Sequence, residues 1–174
     1  MMLSLENGAE TTAPHLMNWP AIEAHARERF REQDLALTDL RATVLRELWE
    51  SGTPQGAYGL TRLLNAHLPK PLAPNSIYRV LALLHELRLV RRITSQQTFK
   101  VVNPGEREDD VLLLCERCGD CMSAGHARIG DELLELASAH EFAPSNRIVE
   151  IVGTCGPCAR SLPDSVCRPA LRRA

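Results

Sequence analysis

Residues 74–90, PNSIYRVLALLHELRLV, decide how the rest of the chain is interpreted. Their apolar residues recur at steps of three and four, which is the period of one face of an α-helix. Pro74 ends the segment before them, and Asn75 and Ser76 are candidate N-cap residues. Together with Arg79 they provide amide, hydroxyl and guanidinium groups, which base edges and phosphates in a major groove require. The stretch predicts either a helix that reads DNA or an ordinary amphipathic helix with a solvated face.

The segments around this helix favour the DNA-binding interpretation. Two short β-prone runs follow it, with the polar residues 94–97 between them, which predicts a β-hairpin. The predicted elements are helices at 20–34, 39–50, 57–68 and 74–87 and strands at 89–93 and 98–102. Helices followed by a hairpin in this order define a winged helix, in which residues 74–87 form the recognition helix.

An uneven distribution of charge supports the same interpretation. The whole chain has a formal charge of −2, but residues 38–103 contain nine Lys or Arg against four Asp or Glu. Residues 104–159 contain four Arg against eleven acids. Arg41 lies on the outer face of the second helix, from which it could reach a phosphate. A basic half followed by an acidic half fits DNA binding by the first and a different task for the second.

The acidic half begins with a charged segment that contains Pro104 and Gly105, which predicts a hinge. An apolar run at 111–114 and the stretch 147–152 predict strands, and residues 127–140 predict a helix. We expect alternate residues of the second strand, and Leu136 of the helix, to face a core. The sequence thus predicts an α+β chain with a tail at 1–19, a winged-helix DNA-binding domain at 20–103, a hinge at 104–110, a small α/β domain at 111–160 and a tail at 161–174.

Two CxxC motifs are the strongest chemical signal in the sequence: Cys115 with Cys118, and Cys155 with Cys158. Each motif places two thiolates on one turn, and two such turns complete a tetrahedral Cys₄ zinc site. The interval between the motifs is long enough for a strand, a helix and a strand. Four cysteines leave no ligand position for water, so we predict one structural Zn²⁺ per protomer and no catalytic metal.

A thiol oxidoreductase is the alternative interpretation of these cysteines. It requires a CxxC at a helix N-terminus within a thioredoxin-like unit, in surroundings that stabilise a thiolate. Glu116 and Asp120 would instead raise the pKa of a nearby thiol. No catalytic triad, paired carboxylates or phosphate-binding loop is present, so we predict that the protein is not an enzyme. Cys121 and Cys167 have no assigned role.

The sequence contains no targeting signal and no apolar run long enough to span a membrane. We therefore predict a cytoplasmic protein without a membrane partner. In that compartment its six cysteines are expected to be metal ligands or thiols, because disulfides are rare there.

Four motifs resemble the ferric uptake regulator (Fur) family, and most closely its zinc uptake regulator branch. They are LTDLR at 37–41, GAYGL at 56–60, APNSIYRVL at 73–81 and VEIVG at 149–153, the last directly before the second CxxC. The resemblance implies a homodimeric repressor of metal (zinc) homeostasis genes that binds a double-stranded DNA operator, and it makes the α/β domain the dimerisation domain. By position, Arg41 and Tyr58 would contact the DNA backbone, and Tyr78 and Arg79 the operator.

The sequence departs from the zinc branch where that branch builds a regulatory zinc site. The branch has a Cys at the end of the second hairpin strand, a His before the first CxxC and often a His after the recognition helix. This chain has Val102, Glu108 and Arg91 at those positions. We therefore predict that the usual regulatory zinc site is absent. Two alternatives remain for the acids at 108–110. With His85 they could form an oxygen-rich metal site, or they could be a solvated acidic hinge.

Besides the thiol oxidoreductase, which tight, non-exchanging zinc would exclude, three functional interpretations stay open on the sequence alone. The first is a Fur-family repressor, and the second is a family relative that has lost metal sensing and answers a redox or other signal. The third is a zinc-stapled module that binds another protein. Salt-dependent binding to duplex DNA distinguishes the first two from the third, because neutralised phosphates release counterions.

Overall fold

The computed structural model describes residues 18–67, 69–107, 110–125 and 127–161. The two predicted tails lie almost entirely outside the described residues, as do Leu68, Glu108, Asp109, His126 and Cys167. The chain is α+β, as predicted, with two small sheets.

Four helices build the main core. They are α1 (Trp19–Glu32), α2 (Asp39–Glu50), α3 (Ala57–Asn65) and α4 (Pro74–Glu86). Each buries one apolar face, and Phe30, Leu45, Leu60 and Leu81 are among the fully buried side chains. The four predicted helices are confirmed. Their apolar residues recur with the helical period, so packing the helices against one another buries those residues together.

The ends of two helices differ from the prediction for local reasons. Helix α3 stops at Asn65, three residues early, where the Asn65 amide exchanges two hydrogen bonds with the backbone of Leu72 (3.1 and 2.8 Å). Helix α4 has Ala73 as its N-cap, so the prediction that Asn75 or Ser76 caps it is wrong. Pro74 occupies the first helical position, where its fixed φ and missing N–H are favourable.

A β-hairpin follows α4, as predicted. It consists of β1 (Val90–Ile93) and β2 (Thr98–Val101), which pair antiparallel from Val90 opposite Val101 to Ile93 opposite Thr98. Gln55 exchanges both backbone hydrogen bonds with Phe99 at 2.9 Å, so the segment before α3 is attached to β2. Val90 and Val101 are buried in the same core as the helices, which joins α4 and the hairpin into one packed unit.

The second half of the described chain is built on a three-stranded sheet. Its elements are β3 (Val111–Cys115), β4 (Cys121–Ala124), α5 (Ala127–Ala139), β5 (Glu150–Gly153) and α6 (Gly156–Arg160). The strand order is β4-β3-β5, with β3 antiparallel to β4 and parallel to β5. Strand β4 and helix α6 were not predicted, and β5 begins three residues later than predicted. These elements have only four or five residues each and depend on pairing with their neighbours.

The faces of α5 and β5 differ from the prediction. Leu136 is 59% exposed, and Ile151 and Val152 are 54% and 53% exposed. The prediction that Leu136 and alternate residues of the last strand face a core is therefore wrong for the single protomer. Strand β5 lies at the edge of its sheet, and nothing in the described part of the chain covers these side chains.

Candidate metal centre and nucleic-acid interface

The four predicted cysteine ligands meet in one cluster. One sulfur from each of Cys115, Cys118, Cys155 and Cys158 lies within 4.8 Å of all the others, and the Cys118 and Cys155 sulfurs are 3.8 Å apart. A tetrahedral ion with Zn–S bonds of about 2.3 Å requires sulfur–sulfur distances of about 3.8 Å. The cluster therefore has the composition and spacing of a closed four-thiolate metal site.

The local backbone explains how the first CxxC turn forms. Cys115 ends β3, and its carbonyl accepts a hydrogen bond from the N–H of Gly119 (2.9 Å), while its own N–H donates to the carbonyl of Asp120 (2.9 Å). Gly119 has φ +72°, a left-handed conformation that a side chain would disfavour. This tight turn brings Cys118 back towards Cys115.

The second turn is joined to the first by three further hydrogen bonds. The N–H of Glu116 donates to the carbonyl of Gly153 (2.9 Å), and the N–H of Cys155 donates to the Cys115 sulfur (3.3 Å). The Arg117 guanidinium donates to the carbonyl of Cys158. Parallel pairing of β3 with β5 places both turns at the same end of the sheet, so the fold assembles the cluster from residues far apart in sequence.

The four sulfurs lie too close together to be ionised all at once without a cation. N–H groups of Cys155 and Cys118 lower the pKa of the Cys115 thiol to about 6. Burial raises the pKa of the Cys118 thiol, and its hydrogen bond with Cys115 raises it further. Sulfurs this close cannot all carry a negative charge unless a cation lies between them. Convergence of all four thiols, rather than pairing of two, also disfavours the oxidoreductase interpretation.

The predicted DNA-binding residues lie on α3 and α4. Tyr58 is 70% exposed and Tyr78 is 45% exposed, and their rings form an edge-to-face pair with centroids 6.0 Å apart. Asn75 and Arg79 are exposed and Ser76 is partly buried in the first turns of α4. The fold thus brings together two aromatic side chains from separate motifs beside a helix with polar, cationic side chains. That these residues contact DNA stays a prediction.

Arg41 makes contacts within the protein. Its guanidinium donates to the carbonyl of Ala36 (2.6 Å) and lies 5.4 Å from the centre of the Phe30 ring. These contacts connect the start of α2 to helix α1 and to the loop that follows it. The phosphate contact expected for Arg41 stays a prediction.

The positions that resemble a regulatory zinc site form other contacts. The Arg91 guanidinium donates to the carbonyl of Asp110 (2.6 Å), and the Asp110 carboxylate accepts from the N–H of Arg107 (2.9 Å). His85 Nδ1 lies 3.1 Å from the carbonyl oxygen of Val90. Among the residues that the structure describes, the four cysteines are the only group of three or more potential ligands. The oxygen-rich alternative rests partly on Glu108 and Asp109, which are not described.

Sequence reasoning missed three charged residues that connect the two halves: Lys100, Glu106 and Glu150. Lys100 is only 9% exposed, which is unusual for a lysine. Nothing in the local sequence distinguishes these residues from ordinary surface charges, because each has a partner between 17 and 56 residues away.

A helical unit with a hairpin, joined to a small sheet that ends in a four-cysteine cluster, is a winged-helix arrangement with a candidate metal site. The model of the Ferric uptake regulator family matches residues 32–152, and the chain belongs to this family. The family consists of transcription regulators, so the prediction that the protein is not an enzyme is confirmed. None of the described helices is both long and apolar enough to cross a bilayer.

Similar proteins agree with this assignment. The Ferric uptake regulation protein of Campylobacter jejuni is 25% identical over 138 residues, which cover 75% of this chain and 87% of that protein. A solved structure of a zinc uptake regulator complexed with zinc and DNA superposes with a TM-score of 0.76 at 24% identity, covering 82% of this chain and 96% of that one. The crystal structure of holo XcZur gives a TM-score of 0.72 at 27% identity, with coverages of 83% and 100%. The suspected resemblance to the family and its zinc branch is confirmed.

Proposed function

We propose that this protein is a repressor of metal homeostasis genes, related to the zinc uptake regulators, that binds an operator as a homodimer. The observation that carries the proposal is the exposed Tyr58–Tyr78 pair beside the first turns of α4, on a unit attached to a four-cysteine cluster. The proposed parts are a DNA-binding domain at 20–103, a hinge at 104–110 and a dimerisation domain at 111–160. Operator binding would place the protein in the cytoplasm.

Helix α4 is the proposed recognition helix. Arg79 would bind a guanine edge or a phosphate, because a guanidinium offers two parallel N–H donors to either. Asn75 and Ser76 would add amide and hydroxyl contacts from the same end of the helix. Tyr58 and Tyr78 would contact the backbone and operator from the side. The basic excess of residues 38–103 would supply the salt-dependent part of the affinity.

Zn²⁺ is the proposed ion of the cysteine cluster. Four thiolates at tetrahedral spacing favour Zn²⁺ over harder cations such as Mg²⁺ or Mn²⁺. A related structure is described as a zinc uptake regulator complexed with zinc. Because four protein ligands fill the coordination sphere, the ion would hold β3 and β5 together rather than act as a sensor.

The proposed dimer interface is the uncovered side of the second sheet. Met122, Leu113 and Ile151 occupy neighbouring register positions on β4, β3 and β5, and they form one apolar row. Ile148 and Val152 add further exposed apolar surface near the open edge of β5. A second copy could cover these side chains and pair with that edge, because a twofold interface presents the same patch twice.

The contacts of Arg91 favour a family relative without the usual regulatory zinc. A permanently charged guanidinium at this position repels a cation, and its donors are already used on a backbone carbonyl. The protein would then hold one structural zinc and bind its operator without a second one.

Selection of duplexes from a random DNA pool by the zinc-loaded protein tests the proposal. We expect a two-part, symmetric site, because each recognition helix of a homodimer reads one half. Affinity for the recovered duplex should fall steeply with salt in an anisotropy titration. Recovery of no common sequence, with binding equal to that of random DNA, would favour the protein-interaction module instead.

A further inference from the structure

The hairpin and the second sheet meet in a small junction, where the described residues form no cluster of metal ligands. Ile93 of the hairpin is fully buried against Leu112 and Leu114 of β3, with Cys121 of β4 packed at the edge. This apolar contact comprises only a few side chains. Fixing the relative position of the two halves therefore requires other interactions.

Lys100 of β2 provides the first of these interactions. Its ammonium group donates to Glu106 Oε2 and to Ser123 Oγ of β4, both at 2.9 Å, and the Ser123 hydroxyl donates to the same Glu106 oxygen at 2.6 Å. Asn103 donates to the other carboxylate oxygen, Oε1, from its side chain (2.7 Å) and its backbone (3.3 Å). The network joins the hairpin, the following segment and the sheet.

The Lys100 and Glu106 side chains of this network are both largely buried. A buried lysine is costly unless a carboxylate and further hydrogen bonds compensate its charge, and here both are present. Burial alone would raise the pKa of Glu106, but the Lys100 charge and the hydrogen bonds from Ser123, Lys100 and Asn103 outweigh it and lower the pKa. The carboxylate is therefore ionised at neutral pH and paired with a fixed positive charge.

Two more charged side chains cross the junction, one at the tip of the hairpin and one opposite Lys100. Glu150 of β5 accepts hydrogen bonds from the backbone N–H groups of Thr94 (2.7 Å) and Ser95 (3.0 Å) at the tip of the hairpin. Arg91 of β1 donates to the carbonyl of Asp110 just before β3. The hairpin is thus held at its tip and, through the opposed residues Arg91 and Lys100, at one level nearer its base.

We propose that Lys100 serves as an internal cation that, with Glu106 and Ser123, clamps the hairpin to the second sheet and so positions α4 for DNA without a regulatory metal. The inference deepens the proposed function by assigning its regulation, and it rests on it. Because α4 and the hairpin share one core, fixing the hairpin fixes the recognition helix. The Lys100 ammonium also already neutralises the Glu106 carboxylate, which a divalent cation at this junction would otherwise use as a ligand.

Replacement of Lys100 by Met tests the clamp, because Met keeps most of the length of the side chain and removes the charge. The chain offers a matched control in Lys70→Met, which removes the same charge from an exposed position in the same half. We expect Lys100→Met to lower affinity for the selected duplex roughly tenfold, since a buried charge pair is broken. Lys70→Met should change affinity less, and the zinc content should stay at one per protomer in both.

Small-angle X-ray scattering gives a readout that does not depend on DNA. Lys100→Met should broaden the distance distribution, whereas wild type should scatter identically with added Zn²⁺, added Mn²⁺ or neither. Ser123→Ala keeps the ion pair, so it should change the scattering and the affinity less. It is the substitute variant if Lys100→Met does not fold. Unchanged scattering and affinity in both variants would overturn the clamp, as would compaction of wild type by added metal. Absence of duplex binding by wild type would instead overturn the proposed function.

Discussion

The backbone N–H of Cys155 donates a hydrogen bond to the sulfur of Cys115, 3.3 Å away, so the second CxxC turn stabilises the thiolate of the first. Each motif therefore helps to arrange the other for binding a metal ion. Neither turn alone would have a sulfur with a lowered pKa and three further thiols within reach. This relationship makes the cluster a cooperative unit, and loss of one member should disable all of it.

Cys115→Ser should remove the zinc and disorder the second half of the chain, because the free energy of metal binding is folding free energy in such a site. Dimerisation should be lost as a consequence. Metal analysis with light scattering measures both effects, and Cys121→Ser, outside the cluster, is the control that should keep the metal. A zinc-free Cys115→Ser protein that still runs as a dimer would separate the site from the interface.

Arg79→Ala should weaken binding to the selected operator by about 1–3 kcal/mol, because it removes a bidentate or phosphate contact. The fold should be unchanged, since the side chain is exposed. Anisotropy titration measures the loss, and Arg128→Ala on α5 is the control for removal of a surface charge. Equal affinities for wild type and Arg79→Ala would contradict the assignment of the recognition helix.

Ile151→Asp should dissociate the dimer, because a charge would be buried in the middle of the apolar row on the second sheet. The isolated protomer should fold normally, since Ile151 is 54% exposed within it. Sedimentation gives the mass, and Gln96→Asp at the hairpin turn is the control. A dimeric Ile151→Asp protein would place the interface elsewhere.

Calorimetric titration of the zinc-loaded protein with more Zn²⁺ should reveal no second site of sub-nanomolar affinity. Arg91 and Val102 supply no ligand, and the carboxylates nearby favour harder cations. Operator affinity should therefore change little once the cysteine cluster is full. A second tight zinc that strongly increases operator affinity would contradict this expectation.

Low pH should remove the contribution of Glu106 to stability. The folded protein lowers the pKa of this carboxyl below its ordinary value of 4.5, so the stabilisation is complete above that pH and is lost as the pH falls through the folded pKa. The difference in free energy of unfolding between wild type and Glu106→Gln should be constant near neutrality and shrink below about pH 4.5. A difference that does not vary with pH would show that the carboxylate is not stabilised by its neighbours.

The sequence predicts the local features of this molecule well. Helix α4 and the two CxxC turns are encoded by spacing within one short segment, so their existence and chemistry follow from the pattern. Even in α4 the predicted N-cap is wrong. Pro74 determines where the helix begins, so Asn75 and Ser76 lie inside its first turn.

Features that depend on distant partners were not predictable in the same way. Strand β4 is a short segment that becomes a strand by pairing with β3, and Lys100 is indistinguishable in sequence from a surface lysine until Glu106 and Ser123 surround it. The exposure of Ile151 has another cause. Its apolar character predicts burial, but no surface within the described protomer provides it.

The pairing of Gln55 with Phe99 has a consequence for the behaviour of the protein at high concentration. An isolated hairpin presents two open edges on which strands of other molecules can add and polymerise. Here Gln55 closes the edge of β2 at Phe99, and β1 carries Arg91 and Arg92, whose charges oppose the addition of another strand. The hairpin is thereby protected from strand addition between molecules when the protein is concentrated.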